Sequence, residues 1–401
     1  MNTKILKKNS RSQTVECDNT IEKTFFKTEY FDNCHLANQL FKDFPWYTPW
    51  IKSGQKENSG MWFTTTKYNS DCRLDKIVEK LDIHERYKVA LDIFDAILDM
   101  YIEGFSHRDI HAKNIFYVDG QIKIIDFEYI HPIGDMPFLE SYDITGRHLP
   151  SPCHADNMCL TKKEPMAILE CLDMNYDDIL DGIYRRIMDK LFAVSGNFKS
   201  KNGYHKRNKG LTYGSFDLLA FGVTKDDAQR DTEKRLKKFG IDNKTISGKT
   251  ILDIGSNIGA IGFSLEKYKP KKYLGIEYCK EQVDVANRIA AVEGLTNYGF
   301  SNGDFGTIEA IDFFYGEDGG PFDTVFCLSV NKHINNEDYL YRLLGELTGK
   351  TLFFEGNYGT NIDEVSEKLK EAGFRNIFFC GHCDDDIKAS NNNRPLLVAE
   401  K

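Results

Sequence analysis

ILDIGSNIGAIGF, residues 251–263, reads as a strand, a glycine turn and the first turn of a helix. Gly255 lets the chain turn sharply, and Gly259 lets a ligand come close to the backbone. Twenty-two residues after Gly255 stands Glu277, the last residue of the strand-like KYLGIE. An acid at that distance suits the ribose hydroxyls of a nucleotide at the tip of the neighbouring strand. The turn reads GSNIG, with Asp253 before it and Asn257 inside it, and is not the GxGxxG of dinucleotide-binding proteins. From about residue 225 such units alternate: TILDIG, KYLGIE, FDTVFCLSV and KTLFFEG are each followed by a helical pattern, and RNIFF and RPLLVAEK close the chain. That alternation predicts a mostly parallel α/β sheet.

A second kind of chemistry is written upstream. SHRDIHAKN, residues 106–114, lies between two apolar runs and is followed by NIFYVDGQIKIIDFE, a strand pair around Asp119-Gly120. Phosphoryl transfer needs a carboxylate to orient the attacking hydroxyl, oxygen ligands for metal ions on the phosphates, and a lysine to anchor the nucleotide. Asp109, then Asn114 five positions on, then Asp126 twelve positions later, supply the first two in order. The lysine is Lys23 of TIEKTFF, with Lys27 as rival; no glycine-rich loop precedes residue 54, and Glu29 stands too early to pair with it. Around these, QTVECDNTIEKTFFKT predicts two strands about Asp18-Asn19. YFDNCHLANQLFKDF predicts a helix, MWFTTTKY a strand, and HERYKVALDIFDAILDMYIEGF a helix ended by Gly104.

HRDIHAKN with IIDFE resembles the kinase fold, in the form of the aminoglycoside-phosphotransferase and lipopolysaccharide-kinase type. Those enzymes commonly carry a His two positions after the Asp, as His111 does, and tolerate Glu where protein kinases have the Gly of DFG, as Glu128 does. The resemblance implies that Asp109 is the catalytic base, that Asn114 and Asp126 bind Mg²⁺, and that Lys113 neutralises charge on the transferred phosphoryl. It also implies that Lys23 anchors ATP and that Asp143 is structural. Residues 225–401 resemble the class I S-adenosylmethionine-dependent methyltransferases. By that resemblance Asp253, Gly255, Asn257 and Gly259 hold the methionine end of S-adenosylmethionine, Glu277 takes the ribose hydroxyls, and Asp304 of NGDF stands at the adenine. Phe305 packs on the base or in the core. Ser329, Lys332 and His333 follow FDTVFCLSV and line the substrate side, with His333 either catalytic or a surface histidine. Arg230 and Arg235 either face the cofactor carboxylate or an anionic substrate, or solvate a helix face.

The expected architecture is thus two domains: residues 1–195, an α+β protein-kinase-like fold with a reduced N-lobe, and residues 225–401, a Rossmann-like α/β methyltransferase fold. Residues 196–224, with the basic SGNFKSKNGYHKRNKG, form the linker. The combination resembles the WbdD-type enzymes that terminate bacterial O-antigen chains, with the domain order reversed. It implies an enzyme that phosphorylates a hydroxyl of a glycan or small metabolite with ATP and Mg²⁺, then methylates the product, on the phosphate. A phosphate monoester is already anionic at neutral pH, so its methylation needs positioning more than a base. Two alternatives stay open: a methyltransferase whose kinase-like domain only binds substrate, and an RNA-modifying enzyme that grips with residues 199–209.

The bulk of the chain narrows this. Its 401 residues are 41% hydrophobic and 28% charged, which is globular composition. A net charge of -9 argues against a protein built to grip nucleic-acid backbone. No apolar run approaches the roughly 18 residues of a membrane span, and MNTKILKKNSRSQ lacks a signal peptide's apolar core, so a cytoplasmic protein is expected. The ten cysteines are scattered and expected reduced. CGHC at 380–383 is followed by three aspartates, which would raise thiol pKa values and oppose a redox role. Cys153, His154 and Cys159 lack a second spaced pair of metal ligands.

Overall fold

The computed structural model describes residues 3–56, 60–132, 164–200, 203–206, 211–305, 321–334 and 336–401. The chain divides into two compact units, Met1–Ile183 and Tyr184–Lys401. Among the described residues no helix is long and apolar enough to cross a membrane.

In the first unit, strands β1 (Thr3–Lys8), β2 (Ser12–Cys17), β3 (Thr20–Phe25), β4 (Trp50–Gln55) and β5 (Met61–Thr66) form an antiparallel sheet of order β1-β2-β3-β5-β4. The β2–β3 turn falls at Asp18-Asn19 as the sequence predicts, with Asp18 at φ 50°. Helix α1 (Thr28–Phe41) buries Tyr30, Phe31, Cys34, Ala37 and Phe41, apolar positions at helical spacing. Helix α2 (Ile83–Ile102) starts at a capping box, Asp82 and Glu85, and stops at Gly104, whose φ of 83° suits a helix end. Strands β6 (Ile115–Val118) and β7 (Gln121–Ile124) follow. Asp119 (φ 51°) and Gly120 (φ 77°) join them in the two-residue turn whose twist matches a hairpin. Trp46 ties this hairpin to α2: its carbonyl accepts from the Ile124 N–H at 2.8 Å and its indole donates to Asp99 at 2.8 Å. Helices α3 (Glu164–Leu172) and α4 (Tyr176–Gly196) are separated at Asp173, which adopts φ 56°.

Within the segment expected to be a linker, Asn197–Ser200 pairs antiparallel with Gly203–Lys206, and Thr212–Gly214 pairs parallel with Ala228–Arg230, which lies beyond that segment.

The second unit is built on β8 (Thr250–Ile254), β9 (Lys272–Glu277), β10 (Tyr298–Asn302), β11 (Phe322–Leu328), β12 (Thr348–Glu355), β13 (Asn376–His382) and β14 (Pro395–Glu400). They lie in the order β10-β9-β8-β11-β12-β14-β13, all parallel except β14, which runs antiparallel to both neighbours. The expected Rossmann-like sheet is present. Helices α5 (Thr232–Lys238), α6 (Ala260–Leu265), α7 (Lys280–Val292), α8 (Glu337–Leu347) and α9 (Ile362–Glu371) connect and cover it. A central parallel strand is covered on both faces, so it reads as a continuous apolar run. Ile251, Leu252 and Ile254 are accordingly fully buried. One face packs Leu252, Ile254, Val325, Leu352 and Phe354 against Leu340, Leu343, Leu344 and Leu347 of α8 and Leu369 of α9. Strand order reverses between β8 and β11, so a crevice opens there at the carboxyl ends of the strands.

Gly345 of α8 tests this packing, because a Cβ there would lie 2.3 Å from the carbonyl oxygen of Ala372, just beyond α9. Gly345→Ala is expected to lower stability by about 1–3 kcal/mol, the usual cost of overpacking, read from the midpoint of urea unfolding.

Candidate functional site

At the crevice of the second unit, the turn after β8 is tied to β9: the N–H groups of Gly255 and Ser256 both donate to the Ile276 carbonyl, at 2.8 and 3.0 Å. Gly255 sits at φ 75°, and a Cβ there would approach Val330, beyond β11, to 2.6 Å. Gly259 sits at φ 83°, and the side its Cβ would occupy faces the rings of Phe300 and Phe263. Asn257, also left-handed at φ 54°, donates its N–H to Glu277 Oε2 at 2.9 Å. Glu277 Oε1 accepts from the Cys279 N–H at 3.0 Å, so two backbone donors fix the carboxylate at the strand tip. Ser256 Oγ and Asn257 Oδ1 are buried in this turn without a protein partner, although buried polar atoms are normally satisfied. That is the signature of a turn shaped for a polar ligand, and it fits a nucleotide-type cofactor.

Asp253 is buried beneath the turn and accepts from the Tyr273 hydroxyl at 2.6 Å. Burial pushes its carboxyl up to about 7, against the pull of that hydrogen bond and of Arg235. Asp304 is half-buried just past β10. Phe305 belongs to the apolar core.

Ser329, left-handed at φ 60° and buried, is locked into a charged network. Its hydroxyl donates to Glu355 Oε1 at 2.5 Å and accepts from Arg394 Nη1 at 2.9 Å. Arg230 is fully buried; its Nε and Nη2 form a fork on Asp385, at 2.9 and 2.8 Å, and its Nη1 donates to Glu355 at 2.8 Å. Arg235 Nε donates to Asp385 at 3.1 Å. Burial would raise the Asp385 carboxyl, but Arg235 and Arg230 outweigh it and hold it at about 2. These arginines do not solvate a helix face; both are buried, and protein carboxylates meet their charges. Glu355 and Arg394 were not singled out from sequence, and Asp385 was read only as one of the three aspartates after CGHC. Glu355 carried a usable signal, since it ends an apolar strand just as Glu277 does.

Lys332 and His333 are exposed on the short turn Asn331–His333 after β11. Lys332 Nζ donates to the Tyr358 carbonyl at 2.6 Å. In CGHC both thiols are pushed up, as expected, but burial is the leading cause rather than the aspartates.

In the first unit, Lys23 Nζ of β3 lies 2.5 Å from Asp126 Oδ1. Lys27 is exposed, next to the start of α1. Asp126, just after β7, holds a left-handed φ of 70°. Burial raises the Asp109 carboxyl to about 7, with the charge of Asp126 adding to it. Asn114 Nδ2 donates to the Asp109 carbonyl at 3.0 Å and to its Oδ2 at 3.1 Å, so the two ends of the loop are joined. His107 is buried against the Phe127 ring, with Nε2 3.1 Å from the Ile125 carbonyl. Burial lowers its pKa to about 4, so near neutral pH it holds the loop as an uncharged imidazole. Its Nδ1 accepts from the Asp109 N–H at 3.2 Å. His111 Nε2 is 3.6 Å from Asp109 Oδ1, and Lys113 is exposed. A cavity of about 850 Å³ opens beside Lys23 and Asp126, walled by Tyr47, Trp50, Phe63 and Phe116. Among the described residues no cluster of three His, Cys, Asp or Glu could hold a metal. Asp143, Cys153, His154 and Cys159 lie outside the described residues.

Residues 246–390 match the family model of a methyltransferase domain. The second unit therefore carries a methyltransferase domain. Among solved structures, the N-terminal domain of EvdMO1 with SAH bound is 16% identical over 55% of this chain and 96% of that one, with a TM-score of 0.40. The match spans 47% of the longer EvdMO1 chain. A SAM-dependent methyltransferase from Aquifex aeolicus is 19% identical over 43% of this chain and 89% of its own, with a TM-score of 0.31. Phosphoethanolamine N-methyltransferase 2 of Haemonchus contortus, in complex with S-adenosyl-L-methionine, is 14% identical over 42% and 51%, with a TM-score of 0.33.

Arg230→Leu would leave the buried Asp385 and Glu355 with only Arg235 and Arg394 as cations, and an expected loss of about 3–5 kcal/mol follows. In the parent chain Asp385 is held below the ordinary carboxylate value of about 3.9, so its contribution is present above that value and lost as pH falls towards 2. The deficit of Arg230→Leu should therefore be largest near neutral pH and shrink as pH falls and the stranded acids take up protons. Urea unfolding of both proteins between pH 3 and 7 checks this.

Proposed function

We propose that the chain is a bifunctional enzyme. Its first unit phosphorylates a hydroxyl of a glycan or small metabolite with ATP, and its second unit methylates the product, on the phosphate, with S-adenosylmethionine. The observation that carries the first half is Lys23 meeting Asp126 beside a large aromatic-walled cavity, with Asp109 close enough for its carboxyl to feel the Asp126 charge. The cavity's aromatic walls suit a nucleobase, and Lys23 suits its phosphates. Asp109, pushed up to about 7, is matched to accept a hydroxyl proton near neutral pH. The Asn114 amide oxygen and the Asp126 carboxylate are hard oxygen donors of the kind Mg²⁺ takes, and the ion would offset charge on the phosphates. Exposed Lys113 would neutralise charge on the phosphoryl in transit.

In the second unit, Glu277 at its strand tip would accept from the ribose hydroxyls and Asp304 would meet the adenine. Asp253, Gly255, Asn257 and Gly259 would surround the methionine end. The buried partnerless atoms of Ser256 and Asn257 support this reading. The phosphate oxygen would attack the sulfonium methyl: an O–CH₃ bond forms, the S–CH₃ bond breaks, and the electron pair stays on sulfur as a neutral thioether. No proton has to leave the dianion, so Ser329, Lys332 and His333 at the end of β11 would position it rather than activate it.

The test uses the full chain, candidate glycans, ATP labelled at the γ-phosphate and methyl-labelled cofactor. Asp109→Asn should cut phosphoryl label by about 10²–10⁴-fold, the usual worth of a general base, and methyl label should fall with it. Methyl label entering Asp109→Asn at the parent rate would refute the sequential scheme. It would leave a methyltransferase whose first unit only binds substrate, in which case calorimetry would find no affinity for Mg·ATP. Separately, Glu277→Ala should weaken cofactor binding by about 1–3 kcal/mol, the cost of lost charge-assisted hydrogen bonds, and should also lower the unfolding midpoint, because the N–H groups of Asn257 and Cys279 lose their acceptor.

A further inference from the structure

We infer that Glu128 is the positioning residue for Lys23, a role that rests on the phosphotransfer reading above. Lys23 Nζ lies 2.5 Å from Glu128 Oε1, as close as it lies to Asp126. The glutamate is 7% exposed. Both acids therefore come from the segment just after β7. The helix that follows the lysine strand offers none: α1 turns Tyr30, Phe31, Cys34, Ala37 and Phe41 inward, and Cys34 lines the cavity that Lys23 also lines. Glu29, in its first turn, is exposed.

Glu128 is itself held on several sides. Ser12 Oγ of β2 donates to its carboxylate at 3.5 Å, and Asn33 Nδ2 of α1 donates to its backbone carbonyl at 2.7 Å. One residue on, the Tyr129 hydroxyl accepts from Arg11 Nη1 at 2.5 Å. The carboxylate thus has a fixed place relative to β2 and α1.

Two carboxylates share one ammonium in the cleft, and they have different duties. A carboxylate that binds a divalent cation gives up part of its interaction with a lysine, so Asp126 is the partner that nucleotide and metal would draw away. Glu128 stays, and keeps Lys23 directed at the phosphates. The same glutamate carries a negative charge into a polyanion site. By charge alone its removal would tighten nucleotide binding, whereas loss of positioning weakens it. The two effects have opposite sign.

The experiment measures ADP binding to the full chain by calorimetry without metal, then Mg²⁺-dependent ATP hydrolysis with water as acceptor. It compares the parent with Glu128→Gln and Glu128→Asp. Glu128→Gln should bind ADP at least about tenfold more weakly and raise KM for ATP by a similar factor, the scale of one charge-assisted hydrogen bond. Glu128→Asp should recover to within about threefold of the parent, because the charge returns and the lysine is flexible. Glu128→Gln should also lower the unfolding midpoint, because buried Lys23 then keeps only Asp126, and Glu128→Asp should restore it; binding is therefore read well below all three midpoints. ADP binding to Glu128→Gln that equals or exceeds the parent overturns the inference, as do equal losses in Gln and Asp variants with lowered midpoints. A parent chain that binds neither ADP nor Mg·ATP overturns the phosphotransfer reading, and this inference with it.

Discussion

The second unit depends on one buried guanidinium. Arg230 sits in a short strand paired on one side with Thr212–Gly214 and bridged on the other to Asp386. From there it reaches Asp385 with two nitrogens and Glu355 with a third. Glu355 ends β12 and accepts from Ser329, the first residue past β11. One cation therefore fastens the segment before α5, the tips of two central strands and the segment after β13. Arginine is suited to this because its planar fork meets a carboxylate with two parallel bonds and cannot lose its proton. A buried ion pair is weak evidence for net stability, since dehydrating the charges offsets most of their attraction. Its value lies in geometry. It holds Ser329 in a left-handed conformation at the switch-point crevice, where a non-glycine residue stands only if its surroundings over-determine it.

The first unit has a counterpart in Lys23. The lysine side chain is largely buried and would be costly as an isolated charge, so its two carboxylates are a physical requirement of the fold as well as a feature of the cleft. Asp126 and Asp109 sit close enough for one to oppose ionisation of the other, while Lys23 favours it. Such a cluster pushes neighbouring carboxyls apart in pKa: Asp126 is lowered and Asp109 raised. Groups driven apart in this way suit opposite tasks, one staying ionised and one exchanging a proton near neutrality. His107, held uncharged by burial, ties the loop to Ile125, between the end of β7 and Asp126.

Local pattern made much of the framework legible. Asp119-Gly120 specified its hairpin because both residues tolerate positive φ, and the apolar run around Ile251 specified a central strand because both faces are covered. Glu277 was readable because an acid at a fixed interval after a glycine turn lands on the neighbouring strand tip. Lys23 was named ahead of Lys27 from the sequence, and the sheet supplies the physical reason: Lys23 lies within β3 and meets Asp126, whereas Lys27 is exposed beyond the strand. Arg230 and Arg235 looked like surface charges because their partners are 155 and 150 residues away. The basic stretch after α4 looked featureless because its pairing follows no apolar alternation, yet four residues on each side form a ladder.

What the sequence determined by itself was the set of elements and the chemistry available at their ends: the glycine turn, the acidic strand tips, and the Asp-Asn-Asp series around one hairpin. Periodicity and turn chemistry act over a few residues, and a few residues are enough to read them. What only the tertiary structure decided was which charges meet. The partner of Lys23 is Glu128 as much as Asp126, and the partners of Arg230 are Asp385 and Glu355, because burial leaves a charge no alternative to the opposite charge that the fold brings alongside it.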